Sequence, residues 1–148
     1  NTMGYLNRWA GGFGGPKVPH SSVVIPEREA DYQIKDAYPE NVPLLYRLTG
    51  DTYPLHADPA FAKKAGFDRP IVHGLCSLGY ACRMMIGALF PGEPERMVSI
   101  ENQFRAVALP GDHFTLCVWK TGENEALFRM VKDSDGKAIL DYGRMTWK

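Results

Sequence analysis

The sequence predicts an α+β domain in which an antiparallel β-sheet curls around one long buried helix. The first observation is the segment LCSLGYACRMMIGALF, residues 75–90, in which Arg83 is the only charged residue. A helix of this composition is apolar on all sides and must be covered, yet it is too short, with an arginine too near its middle, for a membrane span. The second observation is a series of strand-like segments downstream that can supply the cover. One helix wrapped by an antiparallel sheet is the hot-dog fold.

The N-terminal part of the chain is predicted to contribute little regular structure. Residues 1–19 form a connector-like segment, and its GGFGGP does not have the spacing of a dinucleotide-binding loop. The segment lacks a basic flank followed by an apolar run, so neither a signal peptide nor a transit sequence is expected. The folded domain is predicted over residues 20–148. It is expected to begin with a candidate strand at residues 20–25 and a short helix in YPENVPLLYRL, where Leu44, Leu45 and Leu48 share a face.

Start and stop signals define the next two helices. Asp58 is a good N-cap and Pro59 suits the first helical position, so a short helix is predicted over AFAKKA until Gly66 ends it. The long apolar helix then begins after FDRPIVHG and ends at Pro91 and Gly92. Two helices in close succession are therefore expected before the sheet.

The strands after the long helix alternate apolar and polar residues. In VSIENQFRA, residues 98–106, Val98, Ile100 and Phe104 alternate with polar side chains, which is the period of two that a strand shows. Further strands are predicted at residues 114–120, at about 126–132 and at 138–147, separated by TGENE and DSDG. Short connections rich in turn-forming residues indicate an antiparallel meander.

Composition excludes several classes of partner. Lys+Arg and Asp+Glu number 17 each among 148 residues, so no net positive field attracts nucleic acid or an anionic membrane. Cys76 and Cys82 would lie roughly 9 Å apart along the predicted helix, beyond disulfide reach. With three cysteines in all, this favours a reduced, intracellular location. His73 and Cys76 are not followed by a second ligand pair at zinc-finger spacing, so they are interpreted as helix-start and core residues, and no metal site is predicted.

The stretch LTGDTYPLHADP, residues 48–59, contains the candidate catalytic residues. In a helix, the spacing between Asp51 and His56 would direct the two side chains about 140° apart. Pro54 favours a bent loop instead, in which a carboxylate and an imidazole can face one cavity and transfer protons through a water molecule. Each residue has an ordinary alternative, since Asp51 after Gly50 can cap a turn and His56 can be a buried histidine with satisfied hydrogen bonds.

The ordered motifs of this region resemble the MaoC-like, type 2 enoyl-CoA hydratase family. YRLTGDTYPLHADPAFAKKAGFDRPIVHGLCSLGY is similar to that family's hydratase signature, FRAVALPGD resembles its strand after the helix, and GGFGGP resembles the connector before its catalytic half. The signature is specific because a Gly-Asp, a Pro-Leu-His, an Asp-Pro helix start and a His-Gly helix start follow one another in order. The resemblance runs from about Gly11 to the end of the chain. It implies a hot-dog enzyme, a lyase that reversibly hydrates trans-2-enoyl-CoA to (3R)-3-hydroxyacyl-CoA in fatty-acid metabolism.

The resemblance also implies roles for individual residues. Asp51 and His56 become the catalytic pair, and the main-chain N–H of Gly74 becomes the donor to the substrate thioester oxygen. Gly74 stands at the start of the long helix, where unpaired N–H groups and the helix dipole favour an enolate oxygen. Tyr53 stands where the family usually has an asparagine, so we expect it to contact the substrate and reshape the cavity. His73 is expected to position the turn at Gly74 through a side-chain hydrogen bond.

Partners follow from the same reasoning. No separate cofactor is expected, because coenzyme A is part of the acyl-CoA substrate. A sheet wrapped around one helix leaves an open edge, so the expected partner is a second hot-dog domain, either in a homodimer or as an upstream N-terminal half. The expected location is cytoplasmic, or peroxisomal in a eukaryote. Two alternatives stay open: a non-catalytic acyl-CoA-binding or assembly module in which Tyr53 blocks the water site, and a hot-dog acyl-CoA thioesterase.

Overall fold

Three helices and five strands form the part of the chain that the computed structural model describes, which comprises residues 2–4, 11–15 and 22–148. The helices are α1 (Val42–Tyr46), α2 (Pro59–Lys64) and α3 (Gly74–Leu89). The strands are β1 (Tyr32–Ala37), β2 (Met97–Phe104), β3 (His113–Gly122), β4 (Glu125–Lys132) and β5 (Ala138–Trp147). Short 3₁₀ turns at Arg47–Thr49, Pro54–His56 and Pro94–Arg96 complete the connections.

The five strands make one antiparallel sheet in the order β1-β3-β4-β5-β2, and α3 packs against it. The sheet directs Leu116, Phe128 and Leu140 into the same core that receives Ala81 and Met85 of α3, and all five side chains are fully buried. The predicted hot-dog fold is therefore confirmed. No helix in the described part of the chain, α3 included, has both the length and the apolar character needed to cross a membrane.

The elements with strong sequence signals are confirmed within two residues at each end. Asp58 caps α2, since its Oδ1 accepts hydrogen bonds from the main-chain N–H of Ala60 at 2.8 Å and of Phe61 at 3.3 Å. Gly66 follows the helix with a φ of 90°, a left-handed conformation that glycine adopts without strain. The four predicted strands correspond to β2, β3, β4 and β5.

The first strand lies elsewhere than predicted. Residues 22–25 have no regular structure, and residues 20 and 21 lie outside the described residues. The strand that completes the sheet is β1, which pairs with β3 from Tyr32 opposite Val118 to Ala37 opposite His113. Its sequence YQIKDA alternates from Tyr32 to Lys35, and the burial of these residues alternates in the same way, but the run is short and only two of the four residues are apolar. The predicted connector at residues 1–19 lies partly outside the described residues, and its boundary stays a prediction.

Helix α1 confirms the short helix predicted in YPENVPLLYRL, but its leucines point outward. Val42 and Pro43 are the buried residues, whereas Leu44, Leu45 and Leu48 are 51%, 55% and 81% exposed. Three exposed leucines on one short segment form an apolar surface that no described part of the chain covers.

Candidate active site

His56 is fixed as a proton acceptor by the main chain. It ends the 3₁₀ turn Pro54–His56, and its Nδ1 lies 2.9 Å from the carbonyl oxygen of Ile71. A carbonyl only accepts hydrogen bonds, so Nδ1 carries the proton and Nε2 of the neutral ring has a free lone pair. This orientation leaves Nε2 available to remove a proton.

Asp51 follows a sharp turn and remains exposed. Gly50 precedes it with a φ of 125°, and this conformation lets the chain reverse direction after the turn Arg47–Thr49. The Asp51 Oδ1 accepts a hydrogen bond of 3.3 Å from the main-chain N–H of Tyr53, so the carboxylate does stabilise a turn. It also reaches the histidines: one ligand atom each of Asp51, His56 and His73 lie within 4.8 Å of one another. The structure thus brings the predicted pair together, and their catalytic role stays a prediction.

Gly74 is the first residue of α3, so its N–H has no partner within the helix. A Cβ atom at this position would lie 3.1 Å from Cδ1 of Phe104 at the end of β2, closer than ordinary van der Waals contact. The glycine is exposed, whereas the adjacent His73 is buried. The candidate N–H donor is therefore accessible and lies in a place where a side chain would be crowded.

His73 contacts both members of the candidate pair. Its Nε2 lies 3.1 Å from the carbonyl oxygen of Asp51, and its ring stacks on His56 with centroids 3.7 Å apart and planes inclined by 21°. The sequence predicts a hydrogen bond that positions the turn at Gly74, but the His73 side chain makes no capping bond to α3. The bond instead ties the start of α3 to the Asp51 loop. Burial, followed by the nearby His56, lowers the pKa of His73 below its ordinary value.

The cluster has the residue types of a metal site but not the geometry of one. Two histidines and a carboxylate are common ligands of transition metals. However, imidazole lone pairs lie in the plane of the ring, and the nearly parallel planes of His56 and His73 direct their lone pairs side by side. The stacked arrangement therefore disfavours one metal ion shared by both imidazoles, and the acid–base role of the cluster stays a prediction.

Tyr53 has its ring closer to Phe61 than to His56. Its side chain is 53% exposed, its ring contacts Phe61 edge-on at 5.4 Å, and the centroid of His56 is 6.3 Å away. The expected contact between Tyr53 and the substrate stays a prediction. The alternative in which Tyr53 blocks the water site also stays a prediction.

The cavity next to His56 is small. It has a volume of about 130 Å³ and is lined by residues of the α1 region, the catalytic loop and the segment before α3: Glu40, Pro43, Leu44, His56, Ala57, Arg69, Pro70 and Pro110. Sites for small molecules usually enclose roughly 300–1,000 Å³. A larger cavity of about 620 Å³, which includes Arg105, Arg129 and Tyr142, contains none of the predicted site residues. The described chain therefore does not enclose an acyl-CoA around His56 by itself.

Comparisons with known proteins agree with the fold and the motifs. Residues 20–141 match the family model described as a MaoC like domain. The enoyl-CoA hydratase ChsH3 of Mycobacterium tuberculosis is 41% identical over 133 residues, which are 90% of this chain and 46% of that protein. The crystal structure of a MaoC-like dehydratase from Phytophthora capsici superposes with a TM-score of 0.84 and 35% identity, over 90% of this chain and 47% of that one. An (R)-hydratase from A. caviae involved in PHA biosynthesis superposes with a TM-score of 0.62 and 25% identity, over 82% of this chain and 96% of that one.

The hot-dog fold and the ordered motifs therefore agree with relatives that are named as hydratases and dehydratases. The chain belongs to the MaoC-like family. It spans about half the length of the curated relatives that it matches, 46% of ChsH3 for example.

Proposed function

We propose that this chain catalyses the reversible hydration of trans-2-enoyl-CoA to (3R)-3-hydroxyacyl-CoA in fatty-acid metabolism. The observation that carries the proposal is the approach of the Asp51 carboxylate and the His56 imidazole to within 4.8 Å, next to the free N–H at the start of α3. A water molecule between the two side chains would lie within hydrogen-bond reach of both. No covalent intermediate and no separate cofactor are required.

The proposed reaction uses Asp51 and His56 as acid and base on one water. As the water oxygen attacks the β-carbon of the enoyl thioester, His56 Nε2 accepts one proton from the water, while the Asp51 carboxylate accepts a hydrogen bond from the hydrogen that stays on its oxygen. Negative charge then develops on the thioester oxygen, where the Gly74 N–H and the positive end of the α3 dipole stabilise the enolate. Return of one proton to the α-carbon completes the addition of H and OH across the double bond, and dehydration is the reverse sequence.

The comparisons support the reaction class and the stereochemistry. ChsH3 is named an enoyl-CoA hydratase, and the A. caviae protein is named an (R)-hydratase. The first matches this chain over 90% of its residues, and the second is almost wholly covered by it. The (R) configuration of the product is our inference from that second likeness.

A second hot-dog domain is the proposed partner, either a second copy or another half of a longer chain. The strand β2 lies at one end of the sheet order, and Val98 and Phe104 on it are 64% and 47% exposed. Leu75, next to the proposed N–H donor, is also exposed. An open apolar edge of this kind is usually paired or covered.

We also propose an intracellular location. Cys76, Cys82 and Cys117 are all free, and a chain with free thiols and no disulfide among its described residues suits a reducing compartment.

The test of the function combines a substrate panel with two isosteric variants of the full-length protein. Wild-type protein should convert trans-2-enoyl-CoA to the (3R) alcohol, as shown by chiral analysis of the product. Asp51→Asn and His56→Gln remove proton transfer and should each lower kcat by roughly 10²–10⁴-fold. The double variant should lose much less than the product of the two single losses, because residues that act on one water work as a unit.

His113→Gln supplies the matched control. His113 is exposed at the start of β3, so the same substitution should leave kcat unchanged. Full activity in a folded Asp51 or His56 variant would remove that residue from the mechanism, and fully multiplicative losses would refute the shared water. Release of free coenzyme A without a hydroxyacyl product would identify a thioesterase, and binding without turnover would identify an acyl-CoA-binding module.

A further inference from the structure

Three rings from separate segments contact one another at the candidate site. Tyr46 of α1 contacts the His73 ring in a tilted arrangement, with ring centroids 4.7 Å apart and planes inclined by 48°. His56 stacks on His73 at 3.7 Å with planes inclined by 21°. The His73 side chain is 1% exposed and is therefore held in the interior, whereas His56 is only half-buried.

The hydrogen bond of His73 reaches the other member of the pair. Its Nε2 must carry a proton, because it lies 3.1 Å from the carbonyl oxygen of Asp51, which can only accept. Since His73 precedes α3, this bond fixes the main chain of Asp51 relative to the rigid helix. One buried side chain therefore contacts the loop at Asp51 through its N–H and the ring of His56 through its face.

The surroundings keep the His73 ring neutral. Its Nδ1 is buried and has no hydrogen-bond partner among the described residues, so a proton there would be an unpaired charge in the interior. A neutral ring can lie against His56 after His56 has accepted a proton from water. A second positive charge with its ring 3.7 Å away would oppose that transfer.

We propose that His73 is a positioning residue, which fixes the Asp51 loop and the His56 ring relative to each other so that both side chains can contact one water molecule. The proposal rests on the proposed hydratase function for its kinetic consequence, and its structural consequence holds without substrate. Its two contacts can be removed separately. His73→Phe keeps a ring for the stack and loses the N–H, His73→Gln keeps a donor and loses the stack, and His73→Leu loses both.

Kinetics should separate these variants. His73→Leu should lower kcat by about 100-fold, the cost of a misplacement of about 1 Å in a catalytic group, with a much smaller change in KM. His73→Phe and His73→Gln should each recover part of that loss. Tyr46→Leu, which loosens the stack and leaves the hydrogen bond, should show a smaller loss of kcat. Equal kcat in wild type and in folded His73→Leu, or no recovery in either conservative variant, overturns the proposal.

A measurement without substrate distinguishes failure of this proposal from failure of the proposed function. Hydrogen exchange of the main-chain amides of residues 51–53 should be faster in His73→Phe and His73→Leu than in wild type and His73→Gln. Nitrogen-15 NMR should show His73 as the neutral Nε2–H tautomer at neutral pH. Unchanged exchange, or a charged His73, refutes the positioning role whether or not the protein hydrates enoyl-CoA. His113→Gln is the control for both measurements.

Discussion

Replacement of Gly74 by alanine tests the candidate N–H donor without removing it. The new Cβ would lie 3.1 and 3.2 Å from Cδ1 and Cε1 of Phe104, whereas carbon atoms normally pack at about 3.5–4.0 Å. Phe104 is 47% exposed, so its ring can yield by a few tenths of an ångström, and the cost should be about 1 kcal/mol, at the low end for overpacking. In the middle of a helix alanine is favoured over glycine by about 0.5–1 kcal/mol, and at the first residue of α3 the gain should be at most this large. The two effects oppose each other, so the melting temperature should change by no more than a few degrees.

Activity should respond far more than stability. The Cα–Cβ bond of a helical residue tilts toward the helix N-terminus, so the methyl group introduced by Gly74→Ala would lie beside the N–H that the thioester oxygen must approach to about 2.7–3.1 Å. Loss of one oxyanion donor costs roughly 10²–10³-fold in kcat. We expect Gly74→Ala to fall in that range, measured as the initial rate of enoyl-CoA hydration at saturating substrate.

Gly79→Ala is the matched control in the same helix. Nothing lies within 4 Å of a Cβ at Gly79, so this variant should gain about 1 kcal/mol of stability, raise the melting temperature by about 2–4 °C and keep wild-type kcat. Wild-type kcat in folded Gly74→Ala would refute the close approach of the substrate to this N–H. A double variant with Phe104→Leu relieves the crowding, and recovery of activity there would assign the loss to a displaced Phe104 instead.

The remaining predictions concern substrate choice, assembly and pH. Tyr53→Asn should retain the fold and change the relative kcat/KM across acyl lengths, because it alters both cavity volume and hydrogen bonding; an unchanged profile would place the phenol outside the pocket. Sedimentation should show that the active species contains more than one hot-dog domain, and a monodisperse single-domain monomer with full activity at nanomolar concentration would contradict this. Burial and the nearby His56 lower the pKa of His73 in the folded state. Below about pH 6.5 the unfolded chain therefore binds a proton at His73 that the folded state does not bind. The free energy of unfolding should therefore decrease as the pH falls below about 6.5, by at most about 1.4 kcal/mol per pH unit, and not above it. Urea denaturation from pH 5 to 8 should show this dependence in wild type and less of it in His73→Phe, and equal slopes in the two proteins would exclude His73 as its source.

The sequence predicts well those elements that are marked by their own residues. Helix α3 is recognisable because sixteen residues carry one charge, and α2 because Asp58 and Pro59 fix its start. Strand β1 is missed because its alternation covers only the four residues Tyr32 to Lys35, too short a run to stand out from the polar segment around it. The exposure of Leu44 and its neighbours is also missed. Apolar periodicity shows that a helix face must be covered, but it does not show whether the same chain or a partner covers it.

The candidate site also contains features that the sequence predicts and one that it does not. Pro54 predicts a bent loop in which Asp51 and His56 can face one cavity, and the family resemblance pairs them; the structure brings them within 4.8 Å of each other. The contact between His73 and Asp51 could not be predicted, because it joins a side chain to a main-chain carbonyl 22 residues away. Carbonyl acceptors are the same at every residue, so no pattern of side chains marks the one that is used.

The main chain of residues 71–74 also positions several groups of the candidate site. The carbonyl of Ile71 orients His56, the ring of His73 contacts the Asp51 loop, and Gly74 carries the proposed N–H donor. All three belong to the segment 71–74, and Val72 within it is hydrogen-bonded through its N–H to the carbonyl of Ala108 at 2.9 Å. The proposed base, the proposed acid loop and the proposed anion donor are thus all attached to four successive residues that end at the start of α3. A shift of this segment would therefore displace all three groups at once.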